Sequence, residues 1–250
     1  MIFDYPSQNQ EDLLRRLWQE AFGDTDAFLD SFYTHGFAPD RCRCVTEDGQ
    51  VVAALYWFDC SVDGHPIAYL YGIVTAKARR GQGLCRALME NAQAHLKHLG
   101  YAGAILVPAD RGLQKMYEKM GYNVCSSISE ISCTAGKNAA ALRAVDPEEF
   151  CRLRREYLPA GGVVQEGDSI RFLSQTADFY AGEDFLVTVS REEGFFAPEL
   201  LGNYRAAPEI LTALHREKGV FRAPGEGMAF AMYYPLSDAP PPAYFGLAFD

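Results

Sequence analysis

One decapeptide of this 250-residue chain carries a chemistry-bearing pattern: Lys77-Ala78-Arg79-Arg80-Gly81-Gln82-Gly83-Leu84-Cys85-Arg86. It holds four cations and no anion, in a chain of formal net charge −10. It follows an apolar run and opens a segment of helical spacing. The two glycines let the backbone turn sharply and come close to a ligand. Free amides at a helix N-terminus, with the helix dipole behind them, make an anion site. Lysine and arginine around such a site attract phosphate. The chemistry is therefore capture of a pyrophosphate-bearing ligand. The spacing excludes two common nucleotide loops. No GxxxxGK[ST] is present. A GxGxxG fingerprint fails at its third glycine, where Arg86 stands.

The elements that must position this loop read as follows. Leu13, Leu14, Leu17, Trp18 and Ala21 predict an amphipathic helix over 11–22, with a second helix over 24–33. Runs 41–47 and 50–58 flank Asp48-Gly49, a hairpin signal. A turn at Asp63-Gly64 leads into a mostly apolar strand over 67–75. Leu84, Leu88, Ala92, Leu96 and Leu99 stripe a helix over 84–99, closed by Gly100. A buried strand follows at 102–107, then a helix at 113–120 closed by Gly121, then a strand at 124–133. A strand–helix–strand crossover of this length predicts two neighbouring parallel strands.

The composition loosens at 134–141, which reads as a linker between units at 1–135 and 142–250. The second unit is expected to hold helices at 147–157, 169–180 and 207–218, and strands at 185–189, 194–200 and 228–234. A last apolar strand candidate runs over 244–249 and ends at Asp250. His98-Leu99-Gly100 followed by 104–108 can be set beside Glu217-Lys218-Gly219 followed by 231–235. An internal repeat and two ordinary strand–helix–strand units fit this equally well. The second stretch has no glycine-rich loop between strand and helix.

Arg80-Gly81-Gln82-Gly83-Leu84-Cys85 resembles the R-x-x-G-x-[GA] acetyl-CoA loop of the GNAT superfamily, with Cys85 in place of the final Gly or Ala. Met116-Tyr117-Glu118-Lys119-Met120-Gly121-Tyr122 is similar to the family's [LMF]-Y-x-x-x-G-[FY] segment. The resemblance covers roughly residues 42–133. It implies an α/β fold with a mixed sheet, the GNAT acyl-CoA N-acyltransferase fold, followed by a second, smaller GNAT-like α/β domain. It implies that Ile73, Val74 and Thr75 pair with the pantetheine arm of acetyl-CoA or another acyl-CoA. Arg80, Gly81, Gln82, Gly83, Leu84, Cys85 and Arg86 would hold the phosphates. Asp110 stands where many members have an Asn that touches the cofactor. Residues 79–89 look most like the enhanced-intracellular-survival group, which pairs an active GNAT domain with a degenerate one.

The resemblance gives Tyr117 the proton donation to the leaving thiolate. A phenol titrates near 10, so it holds its proton at neutral pH; the plain alternative is a packed aromatic. A backbone amide near Ile73 or Val74 would polarise the thioester carbonyl; the alternative is an ordinary sheet bond. No Asp or Glu lies between Ile67 and Ala76 to act as base. In the similar group the C-terminal carboxylate serves, which points to Asp250 as a candidate; a solvated chain end is the plainer expectation. Cys85 reads as a loop residue, although a helix N-terminus can lower a thiol's pKa. His95 and His98 share a helix face without a third ligand, so a solvated face is expected and no metal site. Tyr69 and Tyr71 alternate on one strand face and suit either an acceptor pocket or the core.

The expected activity is N-acetyl transfer to a primary amine of a small molecule or peptide by direct attack. A non-catalytic acyl-CoA-binding sensor of the same fold is the alternative. The acidic balance disfavours nucleic acid and anionic membranes as partners. Self-association into a homo-oligomer is compatible with the sequence. Seven scattered cysteines do not form a disulfide framework. With no signal-peptide pattern at the N-terminus and no apolar stretch of about 18 residues, a cytoplasmic protein is expected.

Overall fold

The computed structural model describes residues 1–249. The first half runs β1 (Ile2–Asp4), α1 (Glu11–Phe22), α2 (Asp26–His35), β2 (Cys42–Glu47), β3 (Gln50–Val62), β4 (His65–Thr75), α3 (Leu84–His98), β5 (Gly103–Leu106), α4 (Arg111–Glu118) and β6 (Asn123–Thr134). Every expected element of this half is present, within about two residues at most ends. The exceptions are β3, which continues to Val62, and the unforeseen edge strand β1. The second half runs β7 (Arg143–Ala144), α5 (Pro147–Tyr157), β8 (Val164–Gln165), α6 (Asp168–Leu173), β9 (Ala177–Ala181), β10 (Phe185–Ser190), β11 (Phe196–Ala197), β12 (Glu199–Gly202), α7 (Ala207–Ala213), β13 (Lys218–Pro224) and β14 (Met228–Pro235). Among the described residues no helix is long and apolar enough to cross a membrane.

Four readings of the second half are corrected. The strand expected over 194–200 is split, into β11 in the large sheet and β12 in a second sheet. The helix expected over 169–180 stops at Leu173, and residues from Ala177 form β9 with alternating burial. Ile170, Leu173, Ala177 and Tyr180 recur at helical spacing, but Ala177, Phe179 and Ala181 alternate inward as a strand. The helix expected over 207–218 ends at Ala213, because His215 takes a left-handed backbone (φ 56) and Lys218 begins β13. Gly219 is a packing glycine within β13: a Cβ there would lie 2.3 Å from the Phe195 ring. Residues 245–249 form no strand; only Tyr244 bridges, to Gly162.

The large sheet has the order β1-β2-β3-β4-β5-β14-β6-β13-β11, with β8 added to β3. A second sheet has the order β12-β10-β9-β7. The centre of the large sheet is an exchange of strands. β14, from the end of the chain, lies antiparallel between β5 and β6. β6 in turn lies antiparallel between β14 and β13. β5 has a parallel neighbour in β4, and β13 has one in β11. The two halves thus repeat one plan. Their exits repeat it too: Leu236 N donates to Ala102 O at 2.8 Å, and Ala135 N donates to Glu217 O at 2.9 Å. The repeat is real in topology, but the counterpart of β5 is β13. The segment 231–235, set beside 104–108 by sequence, belongs to β14, the counterpart of β6.

Alternation along β3 separates two cores. Ala54, Tyr56, Phe58 and Cys60 face α1, α2 and α6, while Ala53, Leu55 and Trp57 face α3 and α4. Within the second half, a buried ion pair ties α5 to β12. Arg154 on α5 reaches both oxygens of Glu199 on β12, at 2.6 and 2.8 Å, and donates to Val163 O at 3.0 Å. The Tyr244 hydroxyl donates to Glu199 at 3.0 Å. Both side chains are 1% exposed. Removing one partner of such a pair leaves a buried, uncompensated charge. Glu199→Leu is expected to destabilise the protein by about 3–5 kcal/mol, read as a lower urea midpoint. An unchanged midpoint would mean that Arg154 finds other partners.

Candidate active site

β4 and β5 pair in parallel at Ile67–Gly103, Ala68–Ala104 and Tyr69–Ile105, and nowhere beyond. β4 continues to Thr75, so among the described residues its edge from Gly72 to Thr75 has no strand partner on that side. At the same level β4 bulges against β3, between Tyr71 and Val74. Gly72 sits in the bulge at φ +58, and a Cβ there would meet the Trp18 ring at 2.4 Å. Only glycine fits both constraints.

The basic loop closes one end of this gap. Gly81 (φ 75) and Gly83 (φ 79) are left-handed, and a Cβ on either would meet nothing within 4 Å. Gly83 caps α3 without a side-chain bond. Ala87 N donates to Gly83 O, but among the described residues the amides of Gly81, Gln82, Gly83, Leu84, Cys85 and Arg86 have no acceptor. These six N–H groups at a helix start, on an open surface, fit an anionic group. The arginines do something the sequence did not suggest. Arg79 pairs with Glu47, and its Nε donates to Gln82 Oε1 at 3.0 Å. Arg80 Nε donates to Thr75 O at 3.1 Å, and Arg86 Nη2 to Lys119 O at 3.3 Å. They hold the loop to the strand before it and to α4 beside it.

The first turn of α3 and the Tyr117 ring share one core cluster with Ile73. Tyr117 is 6% exposed and packs edge-on to Tyr122 at 5.9 Å. Burial raises its pKa above the usual phenol value, with the nearby Cys85 and Tyr122 adding to the shift. Burial also raises the Cys85 thiol, against a smaller opposing effect of Arg86, so the thiolate favoured by a helix N-terminus is not realised. Asp110 is engaged as the N-cap of α4, accepting from Leu113 N at 2.8 Å. Val74 faces away from α3 into the other core, and Ile73 faces α3.

On the opposite face of β4, Tyr69 is core and Tyr71 is half-buried. Tyr71 lies against Phe172 and Phe249, at 6.2 and 5.6 Å between ring centroids, so residues of both halves meet there. Phe249 N donates to the Tyr69 hydroxyl at 3.0 Å. Asp250, the candidate base, lies outside the described residues. His95 is not on a solvated face: its Nε2 bonds the Tyr5 hydroxyl at 2.5 Å and its ring lies edge-on to Trp57. The second crossover has no comparable loop. Asn203 caps its own turn by accepting from Arg205 N at 3.1 Å, and α7 has Pro208 in its first turn.

Sequence reasoning missed two residues of the site. Glu47 reaches Arg79, and Glu20 Oε1 on α1 accepts from Lys77 N at 3.0 Å. Both stand far from the loop in the chain, so no local pattern could have found them.

Residues 4–125, just under half of the chain, match the acetyltransferase (GNAT) domain family. The fold of nearly the whole chain recurs in solved structures. A GCN5-related N-acetyltransferase from Kribbella flavida aligns over 94% of this chain and 70% of its own, with a TM-score of 0.71 at 19% identity. Eis1 from Mycobacterium abscessus aligns over 94% and 74%, with 0.69 at 11% identity. A tandem GNAT protein from the clavulanic acid biosynthesis pathway aligns over 96% and 99%, with 0.58 at 12% identity. No curated protein matches the chain.

Gly72→Ala places a methyl group against Trp18 at a left-handed position. It is expected to cost about 1–3 kcal/mol, seen as a lower melting temperature. Wild-type stability would mean that the bulge relaxes freely.

Proposed function

We propose that the chain is an acyl-CoA-dependent N-acyltransferase, with acetyl-CoA as donor and a primary amine of a small molecule or peptide as acceptor. The observation that carries this reading is the set of unclaimed amides from Gly81 to Arg86 beside the strand edge Gly72–Thr75, which has no strand partner on the β5 side among the described residues. A diphosphate with a long amide-bearing arm needs both. Bound acyl-CoA would supply the acyl group as an activated thioester. The chain's own residues would do the rest. The loop amides would hold the phosphates, with Leu84 and Cys85 opening the helix behind them. Ile73, Val74 and Thr75 would pair with the arm, and an amide near Ile73 or Val74 would polarise the carbonyl. Tyr117 would hold a proton at Oη for the leaving sulfur as the amine forms its bond to the acyl carbon. On the same reading, residues 142–250 are a degenerate second unit whose last strand completes the first.

A second reading, a non-catalytic acyl-CoA sensor, draws on Asp110, whose carboxylate is committed to capping α4. Titration calorimetry with acetyl-CoA tests what the two readings share. Wild type is expected to bind, and Gly83→Glu, which sets a carboxylate among the amides, is expected not to. Failure of the wild type to bind sinks both readings. Tyr117→Phe then divides them. The enzyme reading expects kcat to fall by about 10²–10⁴-fold with acetyl-CoA affinity kept; unchanged turnover removes Tyr117 from the chemistry. The raised pKa of Tyr117 also sets a sign. Its proton is kept up to about pH 10, so kcat should show no Tyr117-dependent alkaline fall below that. Such a fall, present in wild type and lost in the Phe variant, would contradict the burial argument.

A further inference from the structure

The loop that offers its amides is itself held from behind by carboxylates. Glu47 ends β2, just before the Asp48-Gly49 turn, and pairs with Arg79. Arg79 Nε donates to Gln82 Oε1 at 3.0 Å, and Gln82 Nε2 donates to Ala78 O at 3.3 Å. This closes a chain of bonds across the loop. Glu47 and Arg79 are about a quarter exposed, 26% and 27%, so the pair is partly shielded from solvent. Without Glu47, Arg79 could turn toward the anion site as a phosphate ligand, and Gln82 would lose its fixed partner.

We propose that Glu47 is a positioning residue for acyl-CoA: through Arg79 and Gln82 it holds the loop in the shape that leaves the amides of residues 81–86 free for phosphate. The inference rests on the acyl-CoA reading of the site. Glu47 is an anion near a site for anions, so simple Coulomb repulsion says that removing it tightens binding. Freeing Arg79 to touch phosphate says the same. Preorganisation says the reverse, because the ligand must then order the loop itself.

The test is calorimetric titration of the full chain with coenzyme A, comparing wild type, Glu47→Gln, Arg79→Gln and the double variant, each checked for an unchanged melting temperature. Glu47→Gln is expected to weaken binding about tenfold. The double variant should be no weaker than Glu47→Gln alone, because both changes break one chain of bonds. In turnover, KM for acetyl-CoA should rise with kcat at saturation unchanged. Glu47→Asp should recover part of the loss. Equal or tighter binding by Glu47→Gln overturns the positioning role while leaving the acyl-CoA reading intact. Additive losses in the double variant overturn the route through Arg79. Absence of binding by the wild type removes the acyl-CoA reading and this inference with it.

Discussion

Ile67, Ala68 and Tyr69 of β4 pair with Gly103, Ala104 and Ile105 of β5, and then the strands part. Backbone N–H and C=O groups are obligatory hydrogen-bonding groups, so an unpaired edge inside a sheet is either wet or meant for another chain-like partner. The rest of the site is arranged around that edge. The bulge at Gly72 bends β4 away, Trp18 backs the bulge, and the loop after Thr75 turns its amides outward beside the gap. α4, held to α3 through Arg86 and Lys119 O, carries Tyr117 to the same side.

A gap in a sheet weakens it unless the flanks are stiff. Here the stiffness comes from the strand exchange. β5 is short, yet its other edge is fully paired with β14, which arrives from the far end of the chain. β14 is secured in turn by β6, and β6 by β13. The second half thus supports the first half's site although its own crossover has no phosphate loop. The 244–249 segment, bonded to Ser126 and Tyr69, ties the halves together on the opposite face.

The basic loop shows how charge read from sequence can change meaning in a fold. Four cations in ten residues suggest side chains that grip phosphate. Three of them are instead engaged by protein acceptors: Arg79 by Glu47 and Gln82, Arg80 by Thr75 O, and Arg86 by Lys119 O. What is left for an anion is above all backbone. An amide fixed by its neighbours needs no ordering when a ligand arrives, whereas a long cationic side chain does. The arginines therefore shape the site, while their positive charge still favours anions in its surroundings.

Local signals in the sequence were sufficient for the first half. Helical stripes, Asp-Gly turns and a glycine-rich helix start are short-range features, and α1, β2, β4, α3 and α4 lie close to where they pointed. The loop and Tyr117 were legible because each sits in a short motif. In the second half the same method failed where helical spacing ran on past the true helix end, into β9 after Leu173 and into β13 after Ala213. Beyond the reach of any local pattern were the parting of β4 and β5, the passage of β14 between β5 and β6, and the bracing of the loop by Glu47 and Glu20. Each of these is a pairing between residues remote in the chain. Chain entropy and packing select such pairings only in the folded whole, so the sequence pointed to a chemistry, and tertiary structure decided which backbone amides were left without a partner.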